Sequence, residues 1–220
     1  MIRALIFDFD GLIIDTETPL IDAWAALHER AGHAYSRADA HRLVGQVEVA
    51  FDPWAAFGPA ADREALEAEH RRLSRDLTAR QPVLPGVLAC LRDASALGLQ
   101  LAIASNSSRE HVSRHLVRLG LDGFFGLTCC REDVAAGKPA PDLYLRAIEH
   151  FGVAPVEAVA LEDSTAGTIA ARAAGLWVVA VPNRSTHEHD FAAAHLVLPS
   201  LADTPLAELL GRFAPAGRRA

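Results

Sequence analysis

Residues 4–11 read Ala4-Leu5-Ile6-Phe7-Asp8-Phe9-Asp10-Gly11, and the way this stretch passes from apolar to acidic decides the fold. Four consecutive apolar residues predict a short strand buried on both faces, as in a parallel sheet. The strand drives straight into two acids and a glycine. Alternation across a strand end puts Asp8 and Asp10 on the same side, so two carboxylates are expected to project together there.

Working outward, Leu99–Ala104 (LQLAIA), Ala158–Leu161 (AVAL) and Trp177–Val181 (WVVAV) are runs of the same kind. Helical patterns lie between them at Val87–Leu97, Glu110–Leu119, Asp142–Phe151 and Thr165–Ala174. Each is followed at once by a glycine, Gly98, Gly120, Gly152 and Gly175, which suits the left-handed end of a helix. Strand and helix alternating in this way predict an α/β fold, a parallel sheet with helices on both faces.

Residues 16–80 break the alternation, because they contain no buried-strand run. Thr18-Pro19 offers a cap and a first-turn proline, and Leu20, Trp24, Leu27 and Ala31 recur at helical spacing before Gly32. Ser36-Arg37-Ala38-Asp39 resembles a capping box. Asp62–Ala79 reads as a long charged helix with Leu66, Leu73 and Leu77 on one side. The expected organisation is a core of residues 1–15 and 81–220 with a helical insertion over 16–80. The segment after Asp15 and the proline-rich Gln81–Gly86 would serve as hinges.

Composition narrows the function. With 220 residues, 50% apolar and 22% charged, the chain can bury a sizeable core. A net charge of -7 with no dense Lys/Arg stripe argues against nucleic acid and anionic membranes as partners. No apolar stretch approaches the roughly 20 residues needed to span a bilayer, and Asp8 and Asp10 interrupt the first apolar run before it could act as a signal peptide, so the cytoplasm is expected. Cys129 and Cys130 are adjacent and Cys90 lies in a helical pattern, which supports neither a disulfide framework nor a CxxC zinc site.

Ligands of an open parallel sheet bind beyond the carboxyl ends of its strands. Those ends here carry Asp8-Phe9-Asp10-Gly11, Ser105-Asn106-Ser107-Ser108 and Glu162-Asp163-Ser164, and Lys138 stands in Gly137-Lys138-Pro139 ahead of a helix. Carboxylates gathered in a low-dielectric cleft repel one another, so keeping them ionised calls for a cation, and a hard, oxygen-seeking ion such as Mg2+ suits them. A divalent ion, a lysine, hydroxyl and amide donors and a free carboxylate together can hold and attack a phosphoryl group. Of two such acids, one must be ionised to attack while the other carries a proton for the leaving oxygen.

At this point the residues resemble a known family. Asp8-Phe9-Asp10-Gly11, Ala104-Ser105-Asn106, Gly137-Lys138-Pro139 and Leu161-Glu162-Asp163-Ser164 look like the four motifs of the haloacid dehalogenase superfamily, in order. The helical insertion after the first motif is similar to that of the subgroup containing β-phosphoglucomutase. The resemblance implies a Rossmann-like core with a mobile helical cap. It implies Asp8 as nucleophile, Asp10 as general acid/base, and Ser105, Asn106 and Lys138 as phosphoryl-binding residues. It also implies a Mg2+ held by Asp8, the Asp10 carbonyl and Asp163, with Glu162 at or near the metal.

A phosphomonoesterase acting on a small phosphorylated metabolite is the leading reading. A sugar phosphomutase stands second, because Leu20 replaces a histidine typical of the mutases and Gly45-Gln46-Val47-Glu48-Val49 lacks their Ser-Arg pattern. Dehalogenation is disfavoured by the acid at Asp10, and phosphonate cleavage by the lack of any lysine in 16–80. A non-catalytic phosphate-binding module stands third, since none of Asp8, Asp10, Lys138 and Asp163 is missing. The ten histidines are read as lying mostly on polar helical faces, as solvated residues. Trp24, Trp54 and Phe57 are read as packing of the insertion, and Cys90 as a small buried residue.

Overall fold

The computed structural model describes residues 1–43 and 53–213, so the departure noted at Gly45–Val49 lies outside the described residues. Strands β1 (Ala4–Phe7), β2 (Gln100–Ala104), β3 (Leu127–Cys129), β4 (Ala158–Glu162), β5 (Trp177–Ala180) and β6 (Leu196–Val197) form a parallel sheet in the order β3-β2-β1-β4-β5-β6. β1 is thus central, and the chain fills one side of it before crossing to the other. This is the topological switch point at which an open sheet leaves a crevice.

Side-chain alternation divides the core by size. Leu5, Phe7, Leu101, Ile103, Val159 and Leu161 enter one apolar layer, which also contains Val87 and Leu91 of α4 (Val87–Ala96) and Val112 and Leu116 of α5 (Arg109–Leu119). Ala4, Ile6, Ala102, Ala104, Ala158 and Ala160 enter the other, with Leu143 and Tyr144 of α6 (Asp142–Phe151) and Ala170 and Ala171 of α7 (Thr165–Ala173). The alanine-rich face lets α6 and α7 approach the strands closely. Four expected strands and four core helices are present, with ends shifted by a residue or so. β3, β6 and a short helix α8 (Leu206–Gly211) were not anticipated, being only a few residues long.

The chain divides into two compact units, one of Met1–Ile14, Val83–Asn183 and His189 onward, the other of Asp15–Pro82 with Arg184–Glu188. The second unit contains α1 (Glu17–Arg30), α2 (Arg37–Leu43) and α3 (Arg63–Thr78). Two local expectations are corrected there. The helix start belongs to Asp15, whose carboxylate accepts from the Glu17 and Thr18 N–H groups at 3.1 and 2.9 Å, rather than to Thr18. Leu27 is buried as expected, and Ile21, Ala25 and His28 are buried with it, while Leu20 is 47% exposed. A polar residue takes the interior place because the His28 ring packs edge-on against Phe57 at 4.7 Å and its Nε2 meets the Pro53 carbonyl. Ser36 does receive the Asp39 N–H, and Asp62 that of Ala65. Trp24 lies edge-on to Trp54 at 4.6 Å and stacks on His70 at 4.2 Å, as packing of this unit.

Candidate active site

The site is assembled by backbone ladders that continue one residue past the strands. Asp8 N–H donates to Leu161 O at 2.9 Å, Ser105 N–H to Cys129 O at 3.0 Å, and Val181 N–H to Glu162 O at 2.6 Å. Asp8, Ser105 and the Glu162-Asp163 pair are therefore held in register at the carboxyl end of the sheet. Phe9 is fully buried in the larger-residue layer, which turns its two flanking acids the other way.

Lys138 joins the acids. Its Nζ lies 2.5 Å from Asp8 Oδ1 and 2.5 Å from Glu162 Oε1, with only 4% of the side chain exposed. Asn106, on the loop after β2, brackets the Lys138 peptide, accepting from its N–H at 2.8 Å and donating to its carbonyl at 3.1 Å. Neither Asn106 nor Ser105 caps α5. Ser108 does so through the His111 N–H, while Ser105 Oγ accepts from the Ser107 N–H at 3.0 Å.

Asp8, Glu162 and Asp163 are all buried and offer oxygens within 4.8 Å of one another. Both Glu162 oxygens already have donors, Oε1 the Lys138 ammonium and the Tyr144 hydroxyl at 2.5 Å, Oε2 the Asp163 N–H and the Ser164 hydroxyl at 3.2 Å. Asp163 Oδ2 accepts from Asn183 Nδ2 at 2.8 Å, and the same amide reaches the Gly11 carbonyl. Gly11 has a left-handed backbone (φ +81°), and a Cβ there would collide with the Asp163 carboxylate and Asn183, so this turn requires glycine.

Burial pushes the Asp8 carboxyl up to about 8. Lys138 opposes that rise, and the Glu162 and Asp10 charges add to it. Lys138 itself is raised, its two carboxylate partners outweighing burial. Lys138 meets two of the three buried acids, so the donor set fits a divalent cation: all oxygen, close together and short of positive charge.

Asp10 does not join that carboxylate set. Its Oδ2 accepts from Ser107 Oγ at 2.6 Å, with Ser105 Oγ at 3.4 Å, and its Oδ1 lies 2.9 Å from His111 Nε2. Ser107, His111, Tyr144 and Asn183 were missed from sequence. The reading of the histidines as solvated fails for several: His111, near the start of α5, is half-buried against Asp10, and His28, His41 and His115 are buried. His111 and His115 stand four residues apart on one helix face, a spacing that could have drawn notice. Nothing local marks Tyr144 or Asn183, which reach the site only through the crossovers.

A family model described as haloacid dehalogenase-like hydrolase matches residues 2–175. The Bacillus subtilis (strain 168) protein named "Putative phosphatase YhcW" is 37% identical, covering 96% of this chain and 97% of its own length. Hexitol phosphatase B of Escherichia coli (strain K12) is 31% identical, covering 96% and 97%. Among solved structures, the "putative beta-phosphoglucomutase" of Thermotoga maritima superposes with a TM-score of 0.80 at 25% identity, covering 96% of this chain and 99% of that one.

Proposed function

The chain belongs to the haloacid dehalogenase-like hydrolases, and on that premise we propose that it hydrolyses the phosphomonoester of a small phosphorylated metabolite through an aspartyl phosphate on Asp8, with Mg2+ as cofactor. The observation that carries this reading is the shared grip of Lys138 on Asp8 and Glu162 at the carboxyl ends of β1 and β4. The lysine holds the attacking carboxylate ready and presents positive charge where phosphoryl oxygens would lie. The names of the relatives support a phosphatase, and hexitol phosphatase B makes phosphorylated sugars or sugar alcohols the first substrates to test.

In the first half of the reaction the Asp8 carboxylate forms a bond to phosphorus as the bond to the ester oxygen breaks, and the Asp10 carboxyl gives its proton to that oxygen. In the second half Asp10, now ionised, takes a proton from water, whose oxygen attacks phosphorus. The bond to Asp8 then breaks and inorganic phosphate leaves. Asp8 and Asp163, with the Asp10 carbonyl, would hold Mg2+, and Glu162 orients Lys138 from the edge of that set. When bound, the ion would withdraw charge from the phosphoryl oxygens. Ser105 would donate to those oxygens, and Asn106 acts by fixing the Lys138 peptide. The helical segment is assigned the selection among esters.

The test is a phosphate-release screen over sugar, sugar-alcohol and nucleotide phosphates with Mg2+, together with intact-mass analysis of acid-quenched enzyme. Phosphate release that stops in excess chelator, and one added phosphoryl that Asp8→Asn abolishes, are expected. Release by a folded Asp8→Asn chain, or isomerisation of β-glucose 1-phosphate to glucose 6-phosphate with little free phosphate, would overturn the proposal.

A further inference from the structure

Asp10 is gripped at both of its carboxylate oxygens by groups from a part of the chain about a hundred residues away. Ser107 holds Oδ2 from the loop after β2, and His111 holds Oδ1 from the first turn of α5. Two anchors on different oxygens fix the carboxyl's rotation about its last bond as well as its place.

The His111 ring is itself immobilised. Its backbone N–H binds the Ser108 cap at 3.3 Å. Its ring stands edge-on to Phe9, centroids 5.8 Å apart at 90°, and lies against His115 at 4.8 Å. Phe9 is the fully buried residue between the two acids, so the same side chain that orients Asp8 and Asp10 seats their neighbour. The contact differs from an ordinary surface pair. Both partners are 26% exposed, against 58% and 51% for Arg71 and Glu67 on α3, where solvation leaves such a pair with little effect.

We infer that His111 is a positioning residue for Asp10, holding its carboxyl where it exchanges a proton with the ester oxygen and then with water. The inference rests on the phosphatase reading and assigns to it a residue outside the four motifs. His111 acts through a hydrogen bond and a packed ring. A glutamine amide can place a donor or an acceptor near the position of the imidazole Nε2, whereas alanine can place neither.

The experiment compares kcat/KM, which reports formation of the phosphoryl-enzyme, for two esters. One is an alkyl phosphate that the wild-type chain turns over, whose leaving oxygen needs a proton. The other is 2,4-dinitrophenyl phosphate, whose phenolate leaves without one. His111→Ala should lower kcat/KM for the alkyl ester about 10- to 100-fold, a share of the roughly 10²- to 10⁴-fold that proton transfer supplies. For the aryl ester the loss should stay within about threefold, a change too small to reflect lost general-acid catalysis. His111→Gln should regain most of the alkyl rate. Ser107→Ala, which removes the shorter hydrogen bond to the other oxygen, should show the same leaving-group bias, and it serves if His111→Ala does not fold. Equal losses on both esters, no loss on the alkyl ester, or a folded His111→Gln chain no better than His111→Ala would overturn the inference while leaving the phosphatase reading intact. A wild-type chain that cleaves neither ester overturns both.

Discussion

A single buried carboxyl, Asp8, adds to the stability of this protein a component that falls as pH rises. The Asp8 carboxyl rises from an ordinary 3.8 to about 8 on folding, chiefly through burial, so between those values the folded chain holds a proton that the unfolded chain has lost. Folding then binds protons, and this contribution to stability is greatest at low pH and is lost as pH rises through the window. Burial lowers His41, His70, His115 and His195 and acts in the opposite sense below about pH 6.5, so the carboxyl is read as a difference. In excess chelator, the melting temperature of the wild type relative to Asp8→Asn is expected to fall from about pH 5 to pH 8, because an amide has no proton to lose. Added Mg2+ should raise the melting temperature most at the alkaline end, and Asp163→Asn should weaken that rise. Melting curves of wild type and Asp8→Asn that run parallel across this range would refute the account. The residues behind this prediction were legible in sequence, since each acid ends an apolar run or follows one directly. The partners of Asp10 were not. A histidine on a charged helix reads locally as solvated, and only the β2–α5 crossover brings His111 to the acid.

Elements carry the same logic one step up. Glycine inside a helix ordinarily costs about 1 kcal/mol relative to alanine, so replacing it with alanine should stabilise. In α7 the sign reverses at Gly167. A Cβ there would be driven into the Glu162 carboxylate, the group that already accepts from Lys138 and Tyr144. Gly167→Ala should therefore destabilise by about 1–3 kcal/mol, the usual cost of overpacking, and should raise the Mg2+ concentration needed for half-maximal phosphate release. Thermal melts with and without Mg2+ decide it, and a stabilised, fully active variant would show that α7 does not press on the site. The close approach depends on the alanines of the smaller-residue layer, Ala158 and Ala160 in β4 and Ala170 and Ala171 in α7. Strands of four or five apolar residues and helices closed by glycine were readable. β3 and β6 were not, because Leu127–Cys129 and Leu196–Val197 are too short to show a pattern and owe their conformation to the strands they pair with.

At the scale of the molecule, the helical segment leaves and rejoins the sheet unit at neighbouring points. Ile14 is bridged to Val83, and the Leu84 N–H donates to the Ile13 carbonyl at 2.9 Å, so the two cut ends are already side by side. A short linker there closes a small loop, and loop-closure entropy grows only slowly with length. Among the described residues, the apolar layers of the sheet draw none of their buried members from between Ile14 and Val87. The stop in buried-strand runs and the cluster of prolines made boundaries near Asp15 and Gln81 legible as an expectation. That Arg184–Glu188 belongs with the helical unit was not, since Ser185 meets His41 across 144 positions of sequence, at 2.7 Å. Replacing 15–82 with a few Gly and Ser residues should therefore leave a chain that melts cooperatively and releases phosphate from 2,4-dinitrophenyl phosphate with Mg2+. If the helical segment selects among esters, as proposed, the kcat/KM values of the shortened chain for different sugar phosphates should converge. The measurement is a melting curve and a substrate panel on the shortened chain. Loss of cooperative melting would show that the sheet unit cannot fold alone, and preserved discrimination among sugar phosphates would move selectivity out of the helical segment and into the loops at the strand ends.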